Sequence, residues 1–235
     1  MSTTQIWLIH SIELIAAIAG LFYIKKYRDD KLSRYFVLFL WFTVIIEKIG
    51  LIRRFIHKVD SLIHLKGTFL GESNYWLYNP YLIISVVFYI RYLSLNIQSG
   101  KFRFTLNLLS ILYFVSSIIS FLIVDDLFLG SYSAYGFIVG SVLILLSVSL
   151  YFYEVLQSDI ILNFSKYFPF YVAIGVLVFH LSVTPLFIYS KYYSASKNPE
   201  FVKVYTNILM IANIFMYTCY TIGFVICFRK NKSYY

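Results

Sequence analysis

Cysteine, proline and acidic side chains are all scarce in this chain. Of its 235 residues, two are Cys, four are Pro and eleven are Asp or Glu. Both cysteines, Cys219 and Cys227, lie in the last apolar stretch. Eight positions on one helix are about 12 Å of rise, too far for a disulfide between them. They carry no information on redox compartment. Motifs are missing as well. No glycine-rich phosphate loop, no Cys-x-x-Cys pair and no His-Glu-x-x-His occurs, so the common signatures of phosphate-binding, thiol-redox and zinc-hydrolase sites are absent. Charged residues make up 13% of the chain, and no polar stretch is large enough to be a soluble domain.

What fills the chain instead is apolar. The sequence is 60% hydrophobic, with a mean hydropathy of +0.75. A soluble domain of this size could not keep that much apolar surface from water. Seven stretches carry it: Ile6 to Ile24, Tyr35 to Phe55, Tyr75 to Leu93, Phe104 to Val124, Ser133 to Tyr153, Phe168 to Tyr189 and Tyr205 to Phe228. Each can cross a hydrocarbon core about 30 Å thick at 1.5 Å per helical residue. Lipid offers no partners for backbone amides, so such segments are helical. The shorter, alternating segments of a β-barrel are absent. The expectation is an all-α, polytopic integral membrane protein: one seven-helix domain over residues 1–235 embedded in the lipid bilayer. Residues Met1 to Gln5 include no basic residue, and no small-residue cleavage site closes the first stretch, so the first helix is expected to be retained.

The 20 basic residues outnumber the acidic ones and give a net charge of +9. They cluster in short loops between helices, as membrane proteins place them, and no nucleic-acid partner is expected. Twelve fall on one side of the seven crossings, among them Lys25, Lys26, Arg28, Arg103 and Lys232. Seven fall on the other, among them Arg53, Arg54, Lys58, Lys191 and Lys197, and Lys48 lies inside a span. The balance places the amino terminus outside and the carboxyl terminus in the cytoplasm, as for an inner-membrane protein. The second loop, about Ile56 to Asn74, adds Lys58 and Lys66 to Arg53 and Arg54 just before it, four basic residues on the outer side, and is either an interfacial helix or a solvated loop capping the bundle. Its His57, Asp60 and His64 share a helical face but make a thin metal set.

Polar groups within spans need a partner or a function. The orientation places His10, Glu13, Glu47, Lys48, Asn79, Thr184, Asn207 and Asn213 in the outer half or near mid-depth, and His180 close to the midplane. Asn107 and Glu154 fall in the inner half. The outer set is the pattern of a polar cavity that takes a small-molecule ligand. The competing reading is that these side chains hydrogen-bond helices together. Lys48 can snorkel outward, and Gly50, on the face of Glu47, lets another helix approach closely. Pro169 suits a helix start, and Pro185 is expected to kink or end its helix.

Several short motifs occur in a set order: Glu47-x-x-Gly50, Leu77-Tyr78-Asn79-x-Tyr81, Tyr151-Phe152-Tyr153-Glu154, Pro169-Phe170 with Gly175, Pro185, and Asn213 to Tyr217 with Gly223-Phe224. In this order they resemble a family of uncharacterised seven-helix membrane proteins abundant in Bacteroidetes. The resemblance implies a receptor-like protein that works beside a sensor histidine kinase. Pro80, between Asn79 and Tyr81, departs from the pattern and is expected to alter the start of the third helix. A retinal protein is not indicated, because Tyr205 to Phe228 contains no lysine for a Schiff base. No cofactor and no enzymatic activity are expected. The seven residues after Phe228 lead us to expect output through a separate partner. Three classes stay open: a sensory module, a small-solute transporter or channel, and a membrane scaffold or assembly factor.

Overall fold

The computed structural model describes residues 3–124, 126–189 and 199–230. Lys191, Lys197 and Lys232, which enter the charge balance, lie outside the described residues. Among the described residues there is no strand. Seven long helices carry the fold: α1 (Thr3–Lys26), α2 (Lys31–Gly50), α3 (Tyr75–Leu95), α4 (Gly100–Ile123), α5 (Ala134–Gln157), α6 (Phe168–Ile188) and α7 (Pro199–Lys230). All but α3 are long and apolar enough to cross a membrane, α2 counted together with its continuation to Lys58. The protein is thus a multi-pass helical membrane protein.

Its surface fits a lipid solvent. On α4 the buried positions are Leu106, Ser110, Tyr113 and Ser117, one stripe at helical spacing. Leu122 and Ile123 are each 73% exposed, and Phe104 is 69% exposed. Two of the four inward positions are serine, and large apolar side chains face outward, the reverse of a helix on a water-soluble protein.

α3 is the exception that explains itself. It is as long as α6, at 21 residues, but Tyr, Trp, Asn, Pro and Arg side chains make it less apolar. It packs on α2, α4 and α5. Ten of its 21 residues are buried, against four of 24 in α4, so α3 is the central helix and α4 the peripheral one. A helix wrapped by neighbours has little need of an apolar outer face. Pro80 sits in its second turn without breaking it, and the helix starts at Tyr75, unaltered. Pro169 sits in the first turn of α6, and α6 runs through Pro185 to Ile188.

α1 and α7 are parallel and in register. Gln5 Nε2 donates to Asn207 Oδ1 at 2.9 Å, and Lys26 Nζ donates to the Phe228 carbonyl at 3.0 Å. Both pairs are 202 positions apart, so the offset holds over the length of α1. α2 and α3 run antiparallel and are joined by three polar rungs. Asn74 Nδ2 donates to the Gly50 carbonyl at 2.9 Å, Tyr78 OH to Glu47 Oε2 at 2.9 Å, and Thr43 Oγ1 lies 3.0 Å from Tyr81 OH. Further along, the contact turns aromatic, with Phe39 stacked on Phe88 at 3.9 Å between centroids.

Polar side chains also secure the turns. Asp30 caps α2 by accepting from Ser33 N at 3.0 Å. Glu154, at the end of α5, accepts from Gln98 N and from Ser99 N, so a carboxylate meets the start of α4. The second loop is a series of short helical pieces, Ile52–Lys58, Asp60–Leu65 and Phe69–Glu72, rather than one interfacial helix. Arg53 Nε and His57 Nε2 both meet the Gly71 carbonyl, at 3.2 and 2.9 Å. His57 is thus tied to the loop backbone, and the 3₁₀ geometry after Val59 breaks its helical register with His64. Among the described residues no three His, Cys, Asp or Glu side chains gather as metal ligands would.

Candidate functional site

A cavity of about 360 Å³ opens between α1, α2, α3 and α7, at the end of the bundle where α1 and α7 begin. It is at the small end of ligand pockets, which run roughly 300–1,000 Å³. α1 contributes Ile6, Ile9 and His10, and α7 contributes Leu209 and Asn213. Glu47, Gly50, Leu51 and Arg54 come from α2 and its continuation. Those four are spaced i, i+3, i+4 and i+7, one face of a helix. Asn74 and Tyr78 close the remaining wall.

Depth follows from register. The offset of 202 sets Asn213 level with Ser11, between His10 and Glu13. Glu13 is roughly 15 Å along α1 from its start. It lies behind the cavity wall, 1% exposed as a residue. His10 Nδ1 approaches Glu13 Oε2 at 3.6 Å, a contact longer than a hydrogen bond. Both His10 Nδ1 and Glu13 Oε1 lack a hydrogen-bond partner. The two carboxyl groups, Glu13 and Glu47, are in electrostatic reach of one another, of His10 and of Lys48. A buried carboxyl needs partners; Glu47 has the Tyr78 hydroxyl, whereas Glu13 has only the long His10 contact and one oxygen without a hydrogen bond.

Gly50 makes the Glu47–Tyr78 bond feasible. A Cβ at Gly50 would sit 2.2 Å from the Tyr78 hydroxyl. The space left by the missing side chain admits a tyrosine side chain, where the sequence suggested the close approach of another helix.

Of the residues singled out from the sequence, the structure brings His10, Glu47 and Asn213 to the cavity, with Glu13 behind it. Asn207 is nearby, but its oxygen takes the Gln5 amide. Lys48 is on the outer surface, its ammonium 5.6 Å from the Trp7 ring centroid. Asn79 is buried and occupied. Its Nδ2 donates to the Leu127 and Ser131 carbonyls at 2.6 and 3.0 Å, and its Oδ1 accepts from Ser133 N at 2.9 Å. It fastens the α4–α5 connection to α3. His180 pairs with Ser141 through Nδ1 at 2.8 Å between α6 and α5, and Thr184 donates to the His180 carbonyl at 2.6 Å. Tyr78 and Asn74 are wall residues outside the set singled out from the sequence, and Arg54 enters that reading only through its charge.

Two larger grooves, about 450 and 580 Å³, are lined almost wholly by apolar side chains. Each carries a single charged wall residue, Arg91 or Arg229. A bilayer would fill them with acyl chains, and size alone does not make them sites. Comparisons with known protein families, with curated proteins and with solved structures found no match.

Proposed function

We propose that the protein is a seven-helix sensory module of the inner membrane, receptor-like, with its amino terminus outside. A small polar solute is felt in the cavity at the outer end, and the response passes to a separate membrane partner such as a sensor histidine kinase. The resemblance to the Bacteroidetes family belongs to the same proposal. The observation that carries the reading is the convergence of His10 and Glu47, from the first two helices, and Asn213, from the last, on one cavity.

Seven crossings are supported by the direction of the helices. α1 and the last helix run parallel. Helices that alternate direction give a parallel first and last only when their number is odd. Counting the less apolar α3 makes that number seven.

A route out of the cavity is at hand. α7 lines it through Asn213 and packs on α6 one turn later. A Cβ added to Gly175 of α6 would lie 3.0 Å from Tyr220 and 3.1 Å from the Met216 carbonyl, so the two helices are in close contact. A ligand that favours one α6–α7 packing over another would shift the population of states.

The transporter reading is favoured by a different observation. Below the cavity, buried hydroxyls continue: Thr43 with Tyr81, then Tyr89 with Tyr220 at 3.1 Å. The first pair is about 6 Å below Glu47 by helical rise, and the second is about 12 Å further along α3.

The deciding experiment is gentle purification from the native membrane followed by mass spectrometry. A stoichiometric signalling protein supports the sensory reading. A chain recovered alone, with solute flux in liposomes that Glu47→Gln abolishes, supports transport instead.

A further inference from the structure

We propose that the cavity selects a small zwitterion, with its ammonium group against Glu47 and its anionic group against Arg54. This rests on the reading of the cavity as a ligand site, and holds for a receptor and a carrier alike.

The charges of the cavity are sorted along its axis. Glu47 is on the wall, with Glu13 and its unpartnered oxygen behind. Arg54, two turns further out on the same face, is exposed at the mouth. Arg54 also borders a second recess of about 340 Å³, lined by Thr3, Arg53, His57 and Lys58. The rim therefore carries basic side chains, while the interior carries Glu47 and His10 on the wall with Glu13 behind. Within the rim the nitrogen-bearing side chains differ in commitment. Arg53 and His57 hold the Gly71 carbonyl, whereas Arg54 lies between the rim and the cavity, in electrostatic reach of Tyr78.

This sorting disfavours the simpler ligands. A cation alone must pass the basic rim and leaves Arg54 unneutralised. An anion alone meets Glu47, with Glu13 behind it. An uncharged solute compensates neither end. A molecule with both charges compensates each where it falls, and charge-assisted hydrogen bonds are the strong ones. Seven residues of helix separate the two positions by about 10.5 Å, the scale of an amino-acid-sized ligand with its two hydrogen bonds. Asn213 supplies a further acceptor. Its Nδ2 donates to the Leu209 carbonyl at 2.7 Å, which leaves its amide oxygen for the ammonium group. The same chemistry, an ammonium a few bonds from an anion, occurs in free α-amino acids and in the phosphoethanolamine headgroup of a lipid.

The test uses the purified full-length protein and thermal unfolding. One arm adds common L-α-amino acids, their amides, which are cations, and their N-acetyl derivatives, which are anions. The other arm compares nanodiscs of phosphatidylglycerol with nanodiscs containing phosphatidylethanolamine. The expected result is stabilisation by at least one amino acid, or by phosphatidylethanolamine, and not by the single-charge analogues. Apparent affinity should fall about tenfold or more in Glu47→Gln and in Arg54→Gln, the loss of one charge-assisted hydrogen bond. Lys58→Gln should change it less than about threefold, as a rim charge does. Arg54 is exposed, so its variant folds even if Glu47→Gln does not. Equal stabilisation by an amide and its parent, dependent on Glu47, keeps the ligand site and overturns the zwitterion. Stabilisation by no probe in either arm overturns the zwitterion too; if Glu47→Gln then also leaves the cellular response or solute flux unchanged, the reading of the cavity as a ligand site falls with it.

Discussion

Tyr78 donates its hydroxyl to Glu47 at 2.9 Å across the α2–α3 interface, through the gap left by a glycine one turn from the carboxylate. A cavity wall, a helix contact and a carboxyl orientation all depend on that one bond. Gly50→Ala is expected to displace the hydroxyl, and Tyr78→Phe removes it. Each should lower stability by about 1–2 kcal/mol. Because both remove the same bond, the double variant should lose little more than the worse single one. Thermal unfolding of the three purified variants measures this, and plain additivity would contradict it.

Asn79 is a structural residue despite its place in the sequence. Asn79→Ala breaks three hydrogen bonds to the α4–α5 connection, and roughly 1 kcal/mol each gives a loss of about 3 kcal/mol. Protein that still folds should keep its ligand response. A variant of normal stability without response would place Asn79 in the site instead.

Lys48 lies on α2 but faces away from the cavity. Its ammonium rests near Trp7 on the outer surface. Lys48→Met should change stability by no more than about 1 kcal/mol and leave ligand binding within twofold of the parent. A tenfold loss of binding would show that its field on Glu13 and Glu47 governs the ligand as well.

Close contact between α6 and α7 requires a hydrogen where other residues carry a methyl. Gly175→Val meets Tyr220 and the Met216 carbonyl at about the limit of carbon contact and should cost about 1–3 kcal/mol. Under the sensory reading, response falls further than binding does. Parallel titrations of ligand and of partner activity separate the two.

Seven crossings can be tested directly. After replacing Cys219 and Cys227, single cysteines at Ser61 and Gln98, both exposed, flank α3. A membrane-impermeant thiol reagent applied to intact cells should label Ser61→Cys and spare Gln98→Cys. Labelling of both from one side would mean that α3 does not cross.

How far the sequence could be read depends on which property was asked of it. Hydrophobic run length located all seven long helices, with ends shifted by a few residues, because lipid leaves a chain few other choices. Depth along a helix was also legible, so His10, Glu47 and Asn213 fall together as expected. Rotation about the axis was not. Asn79 faces the α4–α5 connection and His180 faces Ser141, and nothing in a buried helix of mixed composition marks one face from another. Tyr78 went unnoticed because tyrosine counts as apolar in a hydropathy reading, although a buried phenol needs a partner. The usable signal was its neighbourhood, Leu77-Tyr78-Asn79, opposite Glu47-x-x-Gly50. Asn74 falls at the end of the predicted loop, yet it supplies a rung by donating to the carbonyl of Gly50.

The parallel pairing of α1 and α7 has a topological cost. The two helices lie side by side, which in a water-soluble bundle would invite joining the chain's ends into a circle. Here Thr3 and Lys230 sit at opposite ends of the bundle, about 38 Å apart by register and helical rise. A linker crossing that distance through lipid must itself be a helix of some 20 apolar residues. Joining the start of α1 to the end of α7 therefore requires one more membrane-crossing helix.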